Sequence, residues 1–209
     1  MVVDPVIGDR TKGMYVSIET ARAIQQYLLP RAEIITPNRF EAEVLLGISQ
    51  SDTSDRDLLD GLSETGPETV VITSTERDAA QHKASTAFSN GYTYYRIRTP
   101  YHVGLQVIGA GDVFASTLGV TLAMNTSPLP AALFASALTA IAVQKTTGYG
   151  GATVDPVAAI NVVRPALDFT EERLTKLAER CGVIAEPIAA SADRGARLKF
   201  APPKNKIVY

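Results

Sequence analysis

Buried strands and amphipathic helices leave different hydrophobic periods in a chain, near 2 and 3.6 residues. Val2-Val3 reads as the end of a buried strand, and Asp4-Pro5-Val6-Ile7-Gly8-Asp9 as the loop that leaves it. Ser17 is a candidate N-cap for a helix whose Ile18, Ala21, Ile24 and Leu28 share a face before Pro30 ends it. Ile34-Ile35-Thr36 predicts a short strand stopped by Pro37, and Asn38 opens a helix carrying Phe40, Val44 and Leu45 that ends at Gly47. Residues 49–64 read as a surface helix with a Leu58-Leu59-Leu62 face, broken by Gly66-Pro67 before the β-branched strand Val70-Val71-Ile72-Thr73-Ser74. This β-α-β-α-α-β order favours a parallel sheet with helices on both faces. Asn90-Gly91 then predicts a hairpin between strands over 84–89 and 92–98, so antiparallel strands form one edge.

Further on, residues 104–112 form a glycine-spaced loop, and 113–124 are apolar nearly all round, which predicts a buried helix. An alanine-rich apolar helix over 130–145 suits packing against it, and shorter helices are expected over 155–163 and 170–181. From Val183 an irregular tail is expected to run over 183–209, and Pro202-Pro203 keeps its end extended. Without repeats or a low-complexity linker, residues 1–209 read as one domain.

Composition narrows the function. Of 209 residues, 45% are hydrophobic and 20% charged, which argues against bulk disorder. A net charge of −2 offers no basic surplus for nucleic acid or an anionic membrane. One cysteine, Cys181, excludes an internal disulfide framework and a multi-cysteine zinc site. The apolar runs fall short of the ~20 residues of a membrane span. A cytoplasmic protein with neither nucleic acid nor membrane as partner is expected.

Four clusters could carry chemistry. Val107-Ile108-Gly109-Ala110-Gly111-Asp112 opens an apolar helix, where unpaired N–H groups and the macrodipole attract an anion. A carboxylate there repels phosphate, so Asp112 suits a different task, such as accepting a hydroxyl proton. It is equally a good helix cap. Gly104-x4-Gly109 lacks the Lys-Ser/Thr of a P-loop, since Ala110-Gly111 stands there. Asn38 and Glu41 sit three apart at a helix start, either as a site or as an ordinary capping box. Asp4 and Asp9 follow a strand, where paired carboxylates suit Mg²⁺, or else a solvated turn. Thr73-Ser74 ends the third strand with two hydroxyls. A parallel sheet would bring these to one edge facing the glycine loop, a set suited to phosphoryl transfer by positioning and electrostatics.

In order and spacing these motifs resemble the ribokinase-like superfamily and, within it, the pyridoxal (vitamin B6) kinase family. The likeness rests on Gly109-Ala110-Gly111-Asp112, on Asn38 to Glu41, on Asp4-Pro-Val-Ile-Gly-Asp9 with Gly13-Met-Tyr15-Val, and on Val70-Val-Ile-Thr-Ser74. It runs from Val2 to about Thr147 and more loosely to about Cys181. It implies a mostly parallel central sheet with helices on both faces and an antiparallel edge. It further implies ATP-dependent phosphorylation of the 5′-hydroxymethyl of pyridoxal or a related vitamer in pyridoxal phosphate salvage.

By that resemblance Asp112 is the general base, and Gly109, Ala110 and Gly111 hold the transferring phosphoryl. Asp4, Asp9 and Glu41, the last through water, serve Mg²⁺, while Asn38 orients that network. Thr36 matches a position associated with a monovalent cation such as K⁺. Asp9, Asn38, Thr73 and Ser74 belong to the ATP site, and Tyr15 lies on a flap that keeps water out. Hydroxymethylpyrimidine and sugar kinases are near relatives; Ala110 is more typical of the sugar kinases. Members of the family begin with further β-α units before the Asp-Pro-Val strand. At ~30 residues per β-α-β unit, roughly a hundred residues are expected to be absent. The chain is then expected to hold the nucleotide and catalytic half, to expose an apolar edge at Val2-Val3, and to form a homodimer when complete.

Overall fold

The computed structural model describes residues 1–48, 53–78, 80, 82–100, 107–146, 152–154, 157, 160, 161, 164 and 170–189. Six strands form the main sheet in the order β1-β4-β5-β6-β7-β10. These are Val2–Val3 (β1), Ile34–Ile35 (β4), Thr69–Asp78 (β5), Lys83–Ser89 (β6), Tyr94–Pro100 (β7) and Ile184–Pro187 (β10). β1, β4 and β5 run parallel, and β6, β7 and β10 extend them antiparallel. A small hairpin, Gly8–Asp9 (β2) with Gly13–Met14 (β3), stands apart, as does the parallel pair Val107–Ile108 (β8) and Ala152–Thr153 (β9).

Alternation along the strands divides the core. Val3, Ile35, Val70 and Ile72 point to one face, where they meet Ala42 and Leu45 of α2 (Arg39–Leu46) and Leu58, Leu59 and Leu62 of α3 (Asp55–Ser63). Ile34, Val71, Phe88 and Ile97 point to the other. There they meet Phe114 and Leu118 of α4 (Ala110–Ala123), Ala131 and Leu133 of α5 (Pro128–Lys145), and Ala178 of α6 (Glu171–Arg180). Each fully buried Leu or Phe of these layers contributes about 1.5–3 kcal/mol, before the entropy of ordering it. α5 is long and apolar enough to cross a membrane by length and composition alone, contrary to the sequence expectation. Its burial between α4, α6 and the sheet accounts for that composition.

Four expectations are corrected. The first helix, α1 (Ile18–Ala23), passes into a π turn over Ile24–Leu28 and a 3₁₀ turn over Leu29–Arg31. The wider turn shifts the phase of the positions that follow it, so Leu29 is fully buried and Leu28 is 41% exposed; Ile18, ahead of that turn, is 45% exposed. α3 starts at Asp55, capped by Ser54, later than expected; residues 49–52 lie outside those described. α4 is buried along Val113, Phe114, Leu118 and Thr121 only, and Val120 is 59% exposed. The tail expected from Val183 begins instead as β10, paired with β7. Positions 101–106 and 190–209, and all but 157, 160 and 161 of the helix expected over 155–163, lie outside the described residues.

Candidate active site

β1, β4 and β5 end side by side, and the residues that follow them meet. Thr36 N–H donates to the Val3 carbonyl at 3.0 Å, which carries the β1–β4 register one step past the strands. That places the buried Thr36 hydroxyl 3.2 Å from Asp4 Oδ1, to which it donates. Thr73 N–H donates to the Pro37 carbonyl at 2.8 Å, and Thr73 bridges to Asn38. Beyond it β5 loses register with β6 between Ile72 and Glu76, and Ser74 takes a left-handed φ of 54° within that bulge.

Asn38 and Glu41 form a capping box on α2: Asn38 Oδ1 accepts from Glu41 N–H at 3.0 Å, and Glu41 Oε2 accepts from Asn38 N–H at 2.8 Å. The same two side chains reach the loop after β1. Glu41 Oε1 accepts from the N–H groups of Ile7 and Gly8 at 2.7 and 3.2 Å, and Asn38 Nδ2 donates to the Gly8 carbonyl at 2.8 Å. The capping reading is met, and the same pair also tethers the loop after β1. Burial pushes the Glu41 carboxyl above its ordinary value, against the pull of those three N–H groups.

Asp4 is pushed up to about 6, by burial first and then by Glu41, with Asp112 adding to the repulsion and the Thr36 hydrogen bond opposing it. Asp9 behaves oppositely. The Tyr15 hydroxyl, helped by the N–H groups of Lys12 and Thr11, holds it below the usual carboxylate range. Tyr15 is pushed up to about 12 in return. The pair closes the β2–β3 hairpin on itself.

α4 opens without a side-chain cap. Gly109 holds its N-cap position at a φ of 92°, a conformation that disfavours any side chain. A Cβ built on Gly111 would meet nothing within 4 Å, and one on Gly109 would lie 3.7 Å from Asp112 Oδ2. An uncapped helix start, open at Gly111 and with a carboxylate on its first turn, is what anion binding beside a base requires.

Residues 1–158 match the family described as phosphomethylpyrimidine kinase. The chain belongs to that family. Among proteins it resembles, pyridoxal kinase of Ovis aries is 36% identical over 131 residues, 56% of this chain and 42% of that protein. Pyridoxal kinase PdxY of Corynebacterium diphtheriae is 35% identical over 115 residues, 54% of this chain and 40% of that protein. A structure of the Staphylococcus aureus pyridoxal kinase in complex with AMP-PCP and pyridoxal superimposes with a TM-score of 0.65 at 30% identity, over 75% of this chain and 57% of that one. The chain thus spans about two fifths of the length of these curated relatives, 42% and 40%.

In this phosphomethylpyrimidine kinase family member, Asp4 is coupled electrostatically to both Glu41 and Asp112. None of these three carboxylates forms an ion pair among the described residues. No three His, Cys, Asp or Glu side chains there are arranged as a metal cage. Mg²⁺ asks for no such cage, because it takes one or two carboxylates and completes its shell with water and phosphate. An acidic cluster without ion pairs, beside a helix start that carries no side-chain cap, fits that demand. One set of residues escaped the sequence reading: Arg39 pairs with Glu43 at 3.1 Å and Asp55 at 2.8 Å, Arg10 with Glu43 at 2.9 Å, and Arg96 with Asp55 at 2.9 Å. Only the i,i+4 spacing of Arg39 and Glu43 signalled it.

Proposed function

We propose that the chain carries the nucleotide site and catalytic base of a kinase. It would transfer the γ-phosphoryl of ATP to the 5′-hydroxymethyl of pyridoxal or a related B6 vitamer. The observation that carries this reading is the uncapped start of α4, with Asp112 on its first turn, facing a buried and unpaired acidic cluster. The named relatives and the AMP-PCP and pyridoxal complex of the Staphylococcus aureus enzyme support the substrate class.

In this reading the Asp112 carboxylate takes the hydroxyl proton as the alcohol oxygen bonds to the γ-phosphorus. The bond from that phosphorus to the β,γ-bridging oxygen breaks, and ADP leaves. N–H groups of Gly109, Ala110 and Gly111 hold the transferring oxygens. Asp4 and Asp9 would hold Mg²⁺, and Glu41 would reach it through water; the ion supplies charge neutralisation on the phosphates. Thr36 keeps oxygen lone pairs for a monovalent cation such as K⁺, since its hydroxyl proton is committed to Asp4. Thr73 and Ser74 contact the ATP phosphates, Asn38 seats the loop beneath them, and Tyr15 shields the site from water. A cytoplasmic enzyme that acts as a homodimer belongs to the same reading, as does a single ribokinase-like domain over residues 1–209.

The family description names a second acceptor, a phosphomethylpyrimidine, and its hydroxymethyl counterpart is the acceptor of a near relative in the sequence resemblance. ADP release measured with pyridoxal, pyridoxine, hydroxymethylpyrimidine and a sugar ranks the acceptors. Asp112→Asn should lower turnover by about 10²–10⁴-fold and leave affinity for magnesium-ADP unchanged. Full turnover in that variant refutes the role of Asp112. Magnesium-ADP binding without turnover on any acceptor favours a nucleotide-binding remnant.

A further inference from the structure

We propose that Glu43 on α2 anchors the β2–β3 hairpin and that Arg10 is the positioning residue that seats the hairpin, and Asp9 with it, over the nucleotide site. The geometry stands on its own; the nucleotide rests on the phosphoryl-transfer reading. Two tethers lie before Asp9, namely the Ile7 and Gly8 N–H groups on Glu41 and the Gly8 carbonyl on Asn38. The third lies after it. Arg10 Nη2 donates to both Glu43 oxygens, at 3.0 and 2.9 Å. Asp9 is therefore bracketed by contacts to a single helix. The approach is close as well, since a Cβ on Gly8 would sit 2.3 Å from the Gly13 carbonyl oxygen and 2.9 Å from the Phe40 ring.

The anchor is rigid because Glu43 cannot follow the hairpin. Its Oε1 also accepts from Arg39 Nε at 3.1 Å. Arg39 in turn donates to Asp55 at 2.8 Å and to the Thr53 carbonyl at 2.6 Å, and Arg96 of β7 holds the other Asp55 oxygen at 2.9 Å. The chain of charges runs from α2 through α3 into the sheet. Its two ends differ: the Glu43 side chain is 9% exposed and that of Arg10 is 62%. Releasing Arg10 leaves Glu43 paired with Arg39, so the hairpin loosens while the fold keeps its buried pair. Removing Glu43 instead takes one of the two carboxylates from a mostly buried Arg39 and would confound folding with function.

The test compares Arg10→Met and Arg10→Lys with the wild-type chain. Hydrogen exchange over residues 7–15, melting temperature, magnesium-ADP affinity and the KM and kcat for ATP are measured on each. Arg10→Met should exchange faster in the hairpin alone and keep its melting temperature. Its nucleotide affinity should weaken, and its KM rise, about two- to fivefold, the range of a partly exposed ion pair. kcat should hold, because α4 and Asp112 are untouched. Arg10→Lys, which keeps a charged donor, should restore most of the loss. Wild-type exchange and affinity in Arg10→Met overturn the proposal, and so does a loss spread evenly over the whole chain. If the wild-type chain binds no magnesium-ADP, the phosphoryl-transfer reading fails, and hairpin exchange alone decides the anchor.

Discussion

At Asp4 burial and two like charges outweigh one hydrogen bond. Its folded pKa of about 6 lies above the ordinary aspartate value of 3.8. The folded state therefore binds more protons than the unfolded state between those values, and stability contributed by this group falls as pH rises from about 4 to 6. Asp4→Asn should flatten that slope and raise the melting temperature at pH 7, which thermal scans across pH check. A magnesium nucleotide, which favours the ionised carboxylate, should raise the melting temperature more at pH 7 than at pH 5. Gly111 offers a cleaner separation of stability from function. Its Cβ position is empty and its backbone helical, so Gly111→Ala should leave stability equal or raise it by about 0.5–1 kcal/mol. If the γ-phosphoryl lies against that N–H, the same variant should lose affinity for magnesium-AMP-PCP in titration calorimetry and keep its affinity for magnesium-ADP. Unchanged AMP-PCP affinity would remove Gly111 from the anion site.

At the scale of elements, α2 shows how far a sequence pattern reaches. The Asn38-x-x-Glu41 spacing was enough to predict the capping box, because capping is local. The hold of the same Glu41 on Ile7 and Gly8, 34 and 33 residues away, was not legible, because only the sheet brings that loop to the helix. The ion pairs of Glu43 and Asp55 were hidden for the same reason. α1 was mis-phased by its π turn, which no apolar period announces, and α4 was read as buried all round because composition does not say which face lacks a neighbour. The parallel order of β1, β4 and β5, the Asn90-Gly91 hairpin and the convergence of Asp4, Thr36, Asn38 and Glu41 were all legible, since each follows from element order. Asn38→Ala removes a cap worth about 0.5–2 kcal/mol and also frees the Gly8 carbonyl. It should lower stability by at least that amount in urea unfolding, and Asn38→Asp, which keeps the cap but not the Nδ2 donor, should recover only part.

Across the whole molecule the least legible feature is the last strand of the sheet. Ile184–Pro187 is four residues long, contains a proline, and finds its partner at Tyr95 to Arg98. No local period distinguishes it from a tail. Yet Val183 is fully buried in the layer shared with Phe88 and Ile97, and Ile188 N–H donates to the Tyr94 carbonyl at 2.9 Å. Ending the chain after Gly182 removes that buried valine, worth about 1.5–3 kcal/mol, and leaves β7 as an unpaired edge. For a chain of this size each kcal/mol shifts the melting temperature by about 2–4 °C. The truncated chain should therefore melt about 3–12 °C lower and aggregate more readily on heating. The Arg98–Glu186 ion pair is not the source of that loss: the Glu186 side chain is 45% exposed and its pair is screened by solvent, so Glu186→Ala should leave the melting temperature nearly unchanged. A truncated chain that melts like the intact one would mean that β10 adds nothing to the sheet, whereas a large drop with a silent Glu186→Ala assigns its contribution to Val183 and the backbone ladder.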